Sequence, residues 1–257
     1  MSILEVESIT IQFGGLRAVN NFSLSLQAGE LVAIIGPNGA GKTTVFNMLT
    51  GIYKPTKGDI LFENNSVAGL KPHEFTQRGI ARTFQNIRLF SNASVIDNLK
   101  MALTYHVKYN FHQALFRTKS FLNEEDEIEN KAMDLLKIFR LDDKAELKAK
   151  NLPYGEQRRL EIARAMITNP KVLLLDEPAA GMNPNEIDEI IELIKEVKER
   201  YGLTILLIEH HMNLVMAIAD RIKVLDFGET IAEGKPYEIQ NNPRVIEAYL
   251  GGGDKKC

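Results

Sequence analysis

A glycine-rich segment near the start of the chain carries the residue types needed to hold phosphate groups. It runs Gly36-Pro37-Asn38-Gly39-Ala40-Gly41-Lys42-Thr43-Thr44 and matches the pattern G-x-x-x-x-G-K-[ST]. Glycines let the backbone wrap so that successive N–H groups point at phosphate oxygens, and a helix beginning at Lys42 would add its dipole. Lys42 can neutralise the β- and γ-phosphates, and the Thr43 hydroxyl can bind Mg²⁺. The segment therefore predicts a nucleoside triphosphate site rather than a plain Gly-rich turn.

An apolar run that ends in two acids supplies the second half of such a site. The run Val172–Leu175 is followed by Asp176 and Glu177. A buried strand ending in an acid would place Asp176 beside the phosphate loop, where it can bind Mg²⁺. Glu177 would then be positioned to polarise an attacking water. Alone, such a pair usually marks only the polar end of a strand, but beside a phosphate loop it predicts nucleotide hydrolysis.

Strands alternating with helices must position these residues. Period-two alternation predicts half-buried strands, and fully apolar runs predict strands that are covered on both faces. The expected strands are Ile3–Phe13, Phe22–Leu26, Leu31–Ile35, Gly58–Phe62, Ile80–Phe84, Val172–Leu175, Ile205–Ile208 and Ile222–Asp226, the last pairing with Thr230–Ala232. The pattern favours an α/β fold with a mixed or parallel sheet and antiparallel β elements at the N-terminus.

The middle of the chain is mostly helical. Ser94 can cap one helix, Ile128 to Phe139 carries apolar residues at helical spacing, and a third helix is expected from about Gly155 to before Pro170. We therefore expect one domain over residues 1–257, with an α/β core at 1–86 and 169–257 and an inserted helical subdomain at about 87–168.

Composition and charge exclude several classes of protein. Lys and Arg number 31 against 34 Asp and Glu, a net charge of −3, with 44% hydrophobic and 25% charged residues. These values argue against disorder and against bulk attraction to nucleic acid. The longest apolar run, Leu214–Ala219, is too short to cross a bilayer, and Met1–Glu7 lacks the basic region of a secretory signal. The single cysteine, Cys257, excludes an intrachain disulfide and is typical of a reducing compartment.

Several shorter segments, taken in order, resemble the nucleotide-binding subunits of ABC transporters. Gln85, in Arg82-Thr83-Phe84-Gln85, resembles the Q-loop glutamine of that family. The resemblance implies that Gln85 links the Mg²⁺ and water site to a membrane partner, and counts it among the metal ligands.

The run from Leu152 to Arg164 resembles the family's signature motif and its helix, with departures from the common Leu-Ser-Gly-Gly-Gln form. Pro153 replaces the serine, Tyr154 the first glycine and Glu156 the glutamine, whereas Gly155 is retained. Backbone N–H groups and the helix dipole can still bind a phosphate here. The departures remove the serine hydroxyl but keep the helix start, and the resemblance implies that the motif acts on nucleotide held by a second subunit.

Four further positions take roles from the resemblance. Asn183, in Ala180-Gly181-Met182-Asn183, resembles the D-loop, with Asn where Asp is usual. His210 resembles the switch-loop histidine, whose neutral imidazole could bond the γ-phosphate and hold Glu177 and water. Phe13 resembles the aromatic that stacks on adenine, and Val19 would complete an apolar shelf. The alternative for Phe13 is an ordinary core aromatic at a strand end.

The subfamily follows from the same motifs. Gly79–Asn86, the Leu-Pro-Tyr-Gly signature and Asp176–Pro184 are similar to the ATP-binding subunits of high-affinity branched-chain amino acid importers. This implies ATP and Mg²⁺ as ligands, a second ATPase subunit head to tail, two transmembrane permease subunits and, indirectly, a solute-binding protein. The expected location is the cytoplasmic face of the membrane, held there by permease contacts, with no nucleic acid partner.

A basic and aromatic segment between residues 98 and 124 has two interpretations. It has no acid between its ends but contains Lys100, Lys108, Arg117 and Lys119, interleaved with Tyr105, Tyr109, Phe111 and Phe116. It could be a docking face for a permease loop or for lipid headgroups. The plainer interpretation is that the aromatics pack helix on helix and the basic ends are solvated.

Other function classes remain as alternatives. A soluble ABC-type ATPase acting on nucleic acid or ribosomes is the first, and an ABC subunit for another solute is the second. A P-loop GTPase would normally carry Asn-Lys-x-Asp, but Asn130-Lys131 lacks the aspartate. A non-catalytic module would be expected to lose Lys42 or Glu177, and both are present.

Overall fold

The computed structural model describes residues 2–104, 107 and 109–250. The chain divides into two compact units: a first unit of Met1–Arg82 with Lys171–Cys257, and a second unit of Thr83–Pro170. The insert boundaries predicted from the sequence differ from this division by a few residues and stay a prediction. Tyr105, Lys108 and Cys257 lie outside the described residues.

The strands of the described residues all belong to the first unit. They are β1 Ser2–Phe13, β2 Leu16–Gln27, β3 Leu31–Ile35, β4 Lys57–Phe62, β5 Asn65–Ser66, β6 Ile80–Arg82, β7 Val172–Asp176, β8 Thr204–Ile208, β9 Arg221–Asp226 and β10 Glu229–Gly234. One sheet has four strands in the order β2-β1-β4-β5, and the other has six in the order β10-β9-β3-β8-β7-β6.

The larger sheet sets the position of the predicted site. β3, β7 and β8 are buried at every residue, as their fully apolar runs predict. β3 runs parallel to β8 and β9, and β7 runs parallel to β6 and β8. The carboxyl ends of these strands therefore meet at one edge, which is where ligands bind in open α/β sheets.

Of the expected strands, β3 has the predicted bounds, and most of the others differ from theirs by one or two residues at an end. β2 begins at Leu16 rather than Phe22, because Arg17 and Val19 pair with β1 although polar residues interrupt the alternation. β6 ends at Arg82 rather than Phe84. Beyond it, the backbone N–H of Phe84 donates to the Glu161 carboxylate at 3.4 Å.

The helices belong to both units. They are α1 Lys42–Leu49, α2 Pro72–Arg78, α3 Val95–Ala102, α4 Phe111–Leu115, α5 Lys119–Ile138, α6 Tyr154–Met166, α7 Pro184–Tyr201, α8 Met212–Ile218, α9 Pro236–Gln240 and α10 Pro243–Leu250. No helix among the described residues is apolar over a length that would span a membrane.

Each unit has its own buried apolar contacts. In the first unit, Phe22, Phe46 and Leu174 belong to one cluster and have no exposed surface. In the second unit, Leu136 of α5 is fully buried.

Ser94 caps α3 in the second unit, because its side chain accepts a hydrogen bond from the Asp97 N–H. The cap predicted at Ser94 is confirmed.

Candidate functional site

The glycine-rich segment forms a tight loop between β3 and α1. The loop glycines have positive φ values, which residues with a side chain rarely adopt: 152° at Gly36, 82° at Gly39 and 97° at Gly41. A Cβ on Gly36 would lie 2.0 Å from the Leu225 carbonyl oxygen, and one on Gly41 would lie 2.7 Å from the Ala18 carbonyl oxygen. The loop is therefore held close to β2 and β9, and glycine is required where it touches them.

Substituting Gly36 tests this packing. Gly36→Ala is expected to displace the loop, because its new methyl group would meet backbone that cannot rotate away. We expect nucleotide affinity to fall by about tenfold or more and stability by about 1–3 kcal/mol. Gly29→Ala is the matched control: Gly29 also has a positive φ, 76°, but nothing lies within 4 Å of its added Cβ. Calorimetry and thermal melting of both variants distinguish the clash from backbone strain, and equal effects would contradict the prediction.

Lys42 folds back over the loop at the start of α1. Its Nζ donates to the carbonyl oxygens of Gly36 at 2.7 Å and Pro37 at 2.9 Å, and the residue is 8% exposed. Burial lowers the pKa of Lys42, while the carboxylates of Glu177 and Asp176 oppose that shift. The Lys42 ammonium group is therefore stabilised electrostatically by both carboxylates.

The remaining loop positions differ in exposure. Asn38, Gly39 and Thr43 are exposed, Pro37 and Thr44 are half-buried, and Ala40 is buried. The Thr43 side chain, one residue into α1, is thus accessible to a ligand.

The two acids occupy the end of β7 and the turn that follows it. Asp176 is the last residue of the strand and is 3% exposed. Glu177 has a φ of 47°, and its N–H donates to the Ile208 carbonyl at 2.9 Å, which fixes the turn against β8. A left-handed conformation at a non-glycine residue is costly and often marks a functional site.

His210 faces Glu177 at the same edge of the sheet. Its Nδ1 lies 3.7 Å from Glu177 Oε2, longer than a hydrogen bond. The imidazole is half exposed and so accessible to a ligand. His211 is the N-cap residue of α8.

Glu209 organises this edge and was missed by sequence reasoning. It is fully buried, and its carboxylate accepts hydrogen bonds from the N–H groups of Ala179 at 2.9 Å, His210 at 2.7 Å and His211 at 3.0 Å. It therefore ties the turn after Glu177 to the segment carrying His210. The sequence feature that could have identified Glu209 is its place as an acid directly after the apolar run of β8.

The oxygen ligands at this edge suit Mg²⁺. The Thr43 hydroxyl and the Asp176 carboxylate are hard oxygen ligands of the kind that Mg²⁺ prefers. Both residues belong to the first unit. Thr43 lies on α1, which follows the parallel strand β3, and Asp176 ends the parallel strand β7. Gln85 belongs to the second unit, so its part in metal binding stays a prediction.

Phe13 ends β1 and is 44% exposed. Tyr53 packs edge-on against it, with ring centroids 5.1 Å apart and planes 70° apart. Exposed ring surface is what stacking on a base requires. Val19 differs from its expected role: its side chain is fully buried, with Cγ2 3.3 Å from where a Gly41 Cβ would be. Val19 therefore supports the loop instead of offering a surface to a base.

In the second unit, Arg158 connects the Gln85 segment to the start of α6. Its guanidinium donates to the carbonyl oxygens of Phe84 and Gln85, both at 2.7 Å, and to the Tyr154 hydroxyl at 3.2 Å. It also pairs with Glu161 at 2.9 Å, with both side chains almost fully buried. Burial raises the pKa of Glu161, and the charge of Arg158 opposes this. Sequence reasoning missed this pair because charged residues on a helix usually face solvent.

The signature-like residues occupy the first turn of α6. Pro153 is the N-cap, Tyr154 is 43% exposed, and Gly155 is buried. Glu156 is half-buried and pairs with Lys144 at 2.6 Å. The N–H groups of this turn lie at a helix N-terminus, where anions bind favourably.

Asn183 caps α7 in the first unit. Its side chain accepts from the Glu186 N–H at 3.1 Å, and its own N–H donates to the Glu186 carboxylate at 2.9 Å. Asparagine forms such a cap as well as aspartate does, so the departure from the common motif leaves the helix start intact.

The basic and aromatic segment is only partly packed. Tyr109 and Phe121 meet edge to face at 4.8 Å, as the helix-packing interpretation expects. Phe111 and Phe116 are each 75% exposed and Leu115 is 60% exposed, on or next to α4. Neither interpretation of this segment accounts for all of it, and both stay predictions.

Two protein-family models match the chain. The model described as ABC transporter matches residues 19–180, and the model described as branched-chain amino acid ATP-binding cassette transporter matches residues 229–255.

Curated relatives are similar over nearly their whole length. The high-affinity branched-chain amino acid transport ATP-binding protein LivG of Escherichia coli K12 is 50% identical over 249 residues, covering 97% of this chain and 98% of the relative. BraF of Pseudomonas aeruginosa, with the same description, is 48% identical with the same coverage. A probable LivG protein of Archaeoglobus fulgidus is 38% identical over 256 residues, covering 100% of this chain and 98% of the relative.

Solved structures show the same fold. The ADP conformation of an ATP-binding cassette of an ABC transporter has a TM-score of 0.85 at 35% identity, covering 98% of this chain and 99% of that chain. A dimeric cassette in a post-hydrolysis state, bound to ADP and phosphate, has a TM-score of 0.76 at 27% identity, covering 91% and 98%. The α/β architecture expected from the sequence is confirmed.

Proposed function

The chain belongs to the ATP-binding proteins of ABC transporters and is an ATPase of that family, and from this premise we propose that it powers the import of branched-chain amino acids. The observation that carries the proposal is the single sheet edge at which the loop Gly36–Thr44, Asp176, Glu177 and His210 meet in the first unit. The solute is inferred from the relatives' names and from the branched-chain family model at residues 229–255.

The chain's own residues would hold and activate the reacting groups. The loop N–H groups and Lys42 would bind the phosphates of ATP, and Phe13 would stack on the adenine. Thr43 and Asp176 would hold Mg²⁺, which when bound neutralises charge on the β- and γ-phosphates. Glu177 would accept a hydrogen bond from the attacking water and so polarise that water for attack on the γ-phosphate. His210, 3.7 Å from Glu177, would hold both the water and the phosphate in place.

A second ATPase subunit would complete each site. We infer a head-to-tail pair in which Pro153, Tyr154, Gly155 and Glu156 of one copy face nucleotide held by the other. The helix N-terminus at these residues, where Pro153 and Tyr154 are exposed, supports this role, because its N–H groups can bind a γ-phosphate without the missing serine. Asn183 would lie in the D-loop of the same arrangement. ATP binding would close the pair and hydrolysis would reopen it, since the two nucleotide states bind with different affinity.

The pair would be attached to a membrane through other proteins. We infer two permease subunits, with Gln85 on the segment that faces them, and a solute-binding protein that acts only through the permeases. This places the chain at the cytoplasmic face of the membrane, held by protein contacts and not by lipid. A nucleic acid partner is not expected.

Co-purification tests this assignment against a soluble ATPase. The chain should be expressed with the permease genes of its own source, with an affinity tag on one permease. We expect the chain to elute with both permeases in detergent and to show Mg²⁺-dependent ATP hydrolysis there. Elution with ribosomes or nucleic acid, and not with the permeases, would support the soluble alternative and contradict the proposal.

A further inference from the structure

The described structure places a buried arginine against the acid proposed to bind Mg²⁺. Arg82 is the last residue of β6, and Asp176 is the last residue of the neighbouring β7. Arg82 Nη2 donates to Asp176 Oδ2 at 2.6 Å, and the two side chains are 6% and 4% exposed. An ion pair this short and this well shielded holds its carboxylate in one orientation.

The same guanidinium is anchored on the helix that carries Lys42 and Thr43. Its Nη1 donates to Asn47 Oδ1 at 2.8 Å and to Thr50 Oγ1 at 3.1 Å. The Thr50 hydroxyl in turn donates to the Phe46 carbonyl at 2.7 Å, so its oxygen is oriented to accept from Arg82. Arg82 therefore joins the end of α1 to the end of β7.

This connection links the two sources of metal ligands. Thr43 belongs to the first turn of α1, and Asp176 belongs to β7. A carboxylate has two oxygens and several lone pairs, so an arginine bond to Oδ2 is compatible with a metal bond to the same group. Residues that orient metal ligands in this way commonly change metal affinity when they are replaced.

We propose that Arg82 is a positioning residue for Mg²⁺ binding. Its guanidinium fixes the Asp176 carboxylate relative to α1. The inference rests on the proposed assignment of Thr43 and Asp176 as metal ligands. Arginine is suited to this role because its planar fork spans two partners at once, which the single ammonium of lysine does not.

Metal-dependent nucleotide binding tests the proposal with the full chain. Binding of a non-hydrolysable ATP analogue is measured by calorimetry in EDTA and across a Mg²⁺ series. For Arg82→Lys we expect affinity in EDTA to stay within about twofold of wild type, while the half-saturating Mg²⁺ concentration rises about tenfold. The analogue's own affinity for Mg²⁺ is the same in every titration, so the difference between variants reports on the protein.

Two further variants make the result decisive. Arg221→Lys is the matched control, because Arg221 pairs with Glu30 at 2.8 Å in the same unit but on β9, and its Mg²⁺ dependence should match wild type. Asn47→Ala loosens the anchor of Arg82 and keeps its charge, so it should shift the Mg²⁺ dependence in the same direction by a smaller factor. If Arg82→Lys does not fold, Asn47→Ala decides the question.

The outcomes separate this inference from the function on which it rests. An unchanged Mg²⁺ dependence in folded Arg82→Lys, or a loss of affinity that is equal in EDTA and in Mg²⁺, overturns the positioning role. A wild-type protein whose nucleotide binding gains nothing from Mg²⁺ overturns the proposed metal site instead.

Discussion

Glu177→Gln is expected to bind ATP and barely hydrolyse it. Gln keeps the size and the hydrogen-bonding capacity of the side chain, but it cannot accept a proton from water. General base catalysis contributes about 10²–10⁴-fold, so kcat should fall by that factor. ATP affinity should stay within about twofold, because the phosphate contacts come from the loop and Lys42. With hydrolysis blocked, ATP should accumulate in a trapped dimer.

Single-turnover hydrolysis and size-exclusion chromatography with ATP measure both effects. Glu192→Gln is the control, since it makes the same change on the exposed face of α7, where Glu192 pairs with Lys195 at 3.1 Å. It should hydrolyse ATP and elute as wild type does. Wild-type turnover in Glu177→Gln would falsify the role of Glu177 as the base.

Lys42→Met is expected to lose nucleotide binding. Met nearly preserves the length and apolar stem of lysine but removes the charge that the phosphates require. A hydrogen bond to a charged group contributes about 1.5–3 kcal/mol, and Lys42 would make contacts to two phosphates, so affinity should fall about a hundredfold or more. The bonds from Nζ to Gly36 and Pro37 are also lost, which loosens the loop.

Calorimetry with a non-hydrolysable ATP analogue measures this loss. Lys195→Met, on the exposed face of α7, is the matched control and should bind as wild type does. Thermal melting without nucleotide distinguishes a lost contact from a lost fold. Nucleotide affinity within threefold of wild type in folded Lys42→Met would contradict the proposed phosphate role, because about 1.4 kcal/mol is already tenfold.

The sequence predicted those parts of the site that depend on local pattern. Leu31–Ile35 matches β3 at both ends, and the loop that follows meets Lys42 at the first residue of α1, as predicted. Both features depend on residues adjacent in the chain: an apolar run for a strand covered on both faces, and glycines for a tight turn. Asp176 and Glu177 were likewise predicted at the end of a buried strand.

The residues that the sequence analysis missed act across long separations in the chain. Arg82 meets Asp176 only because β6 and β7 are neighbours in the sheet, and nothing local to Arg82 indicates that partner. Arg158 and Glu161 look like solvated charges on a helix, yet both are buried because they satisfy each other and backbone groups near Phe84. Val19 was assigned to a ligand surface, and the packing of the glycine loop against β2 instead buries it.

Reconstituted transport tests the central claim most directly. The chain, its partner ATPase and the two permeases are placed in proteoliposomes with the solute-binding protein and ATP. Uptake of leucine, isoleucine, valine and a panel of other amino acids is then measured. We expect ATP-dependent accumulation of the branched-chain amino acids with wild type and none with Glu177→Gln. Accumulation only of other solutes, or ATP hydrolysis without uptake of any branched-chain amino acid, would contradict the account.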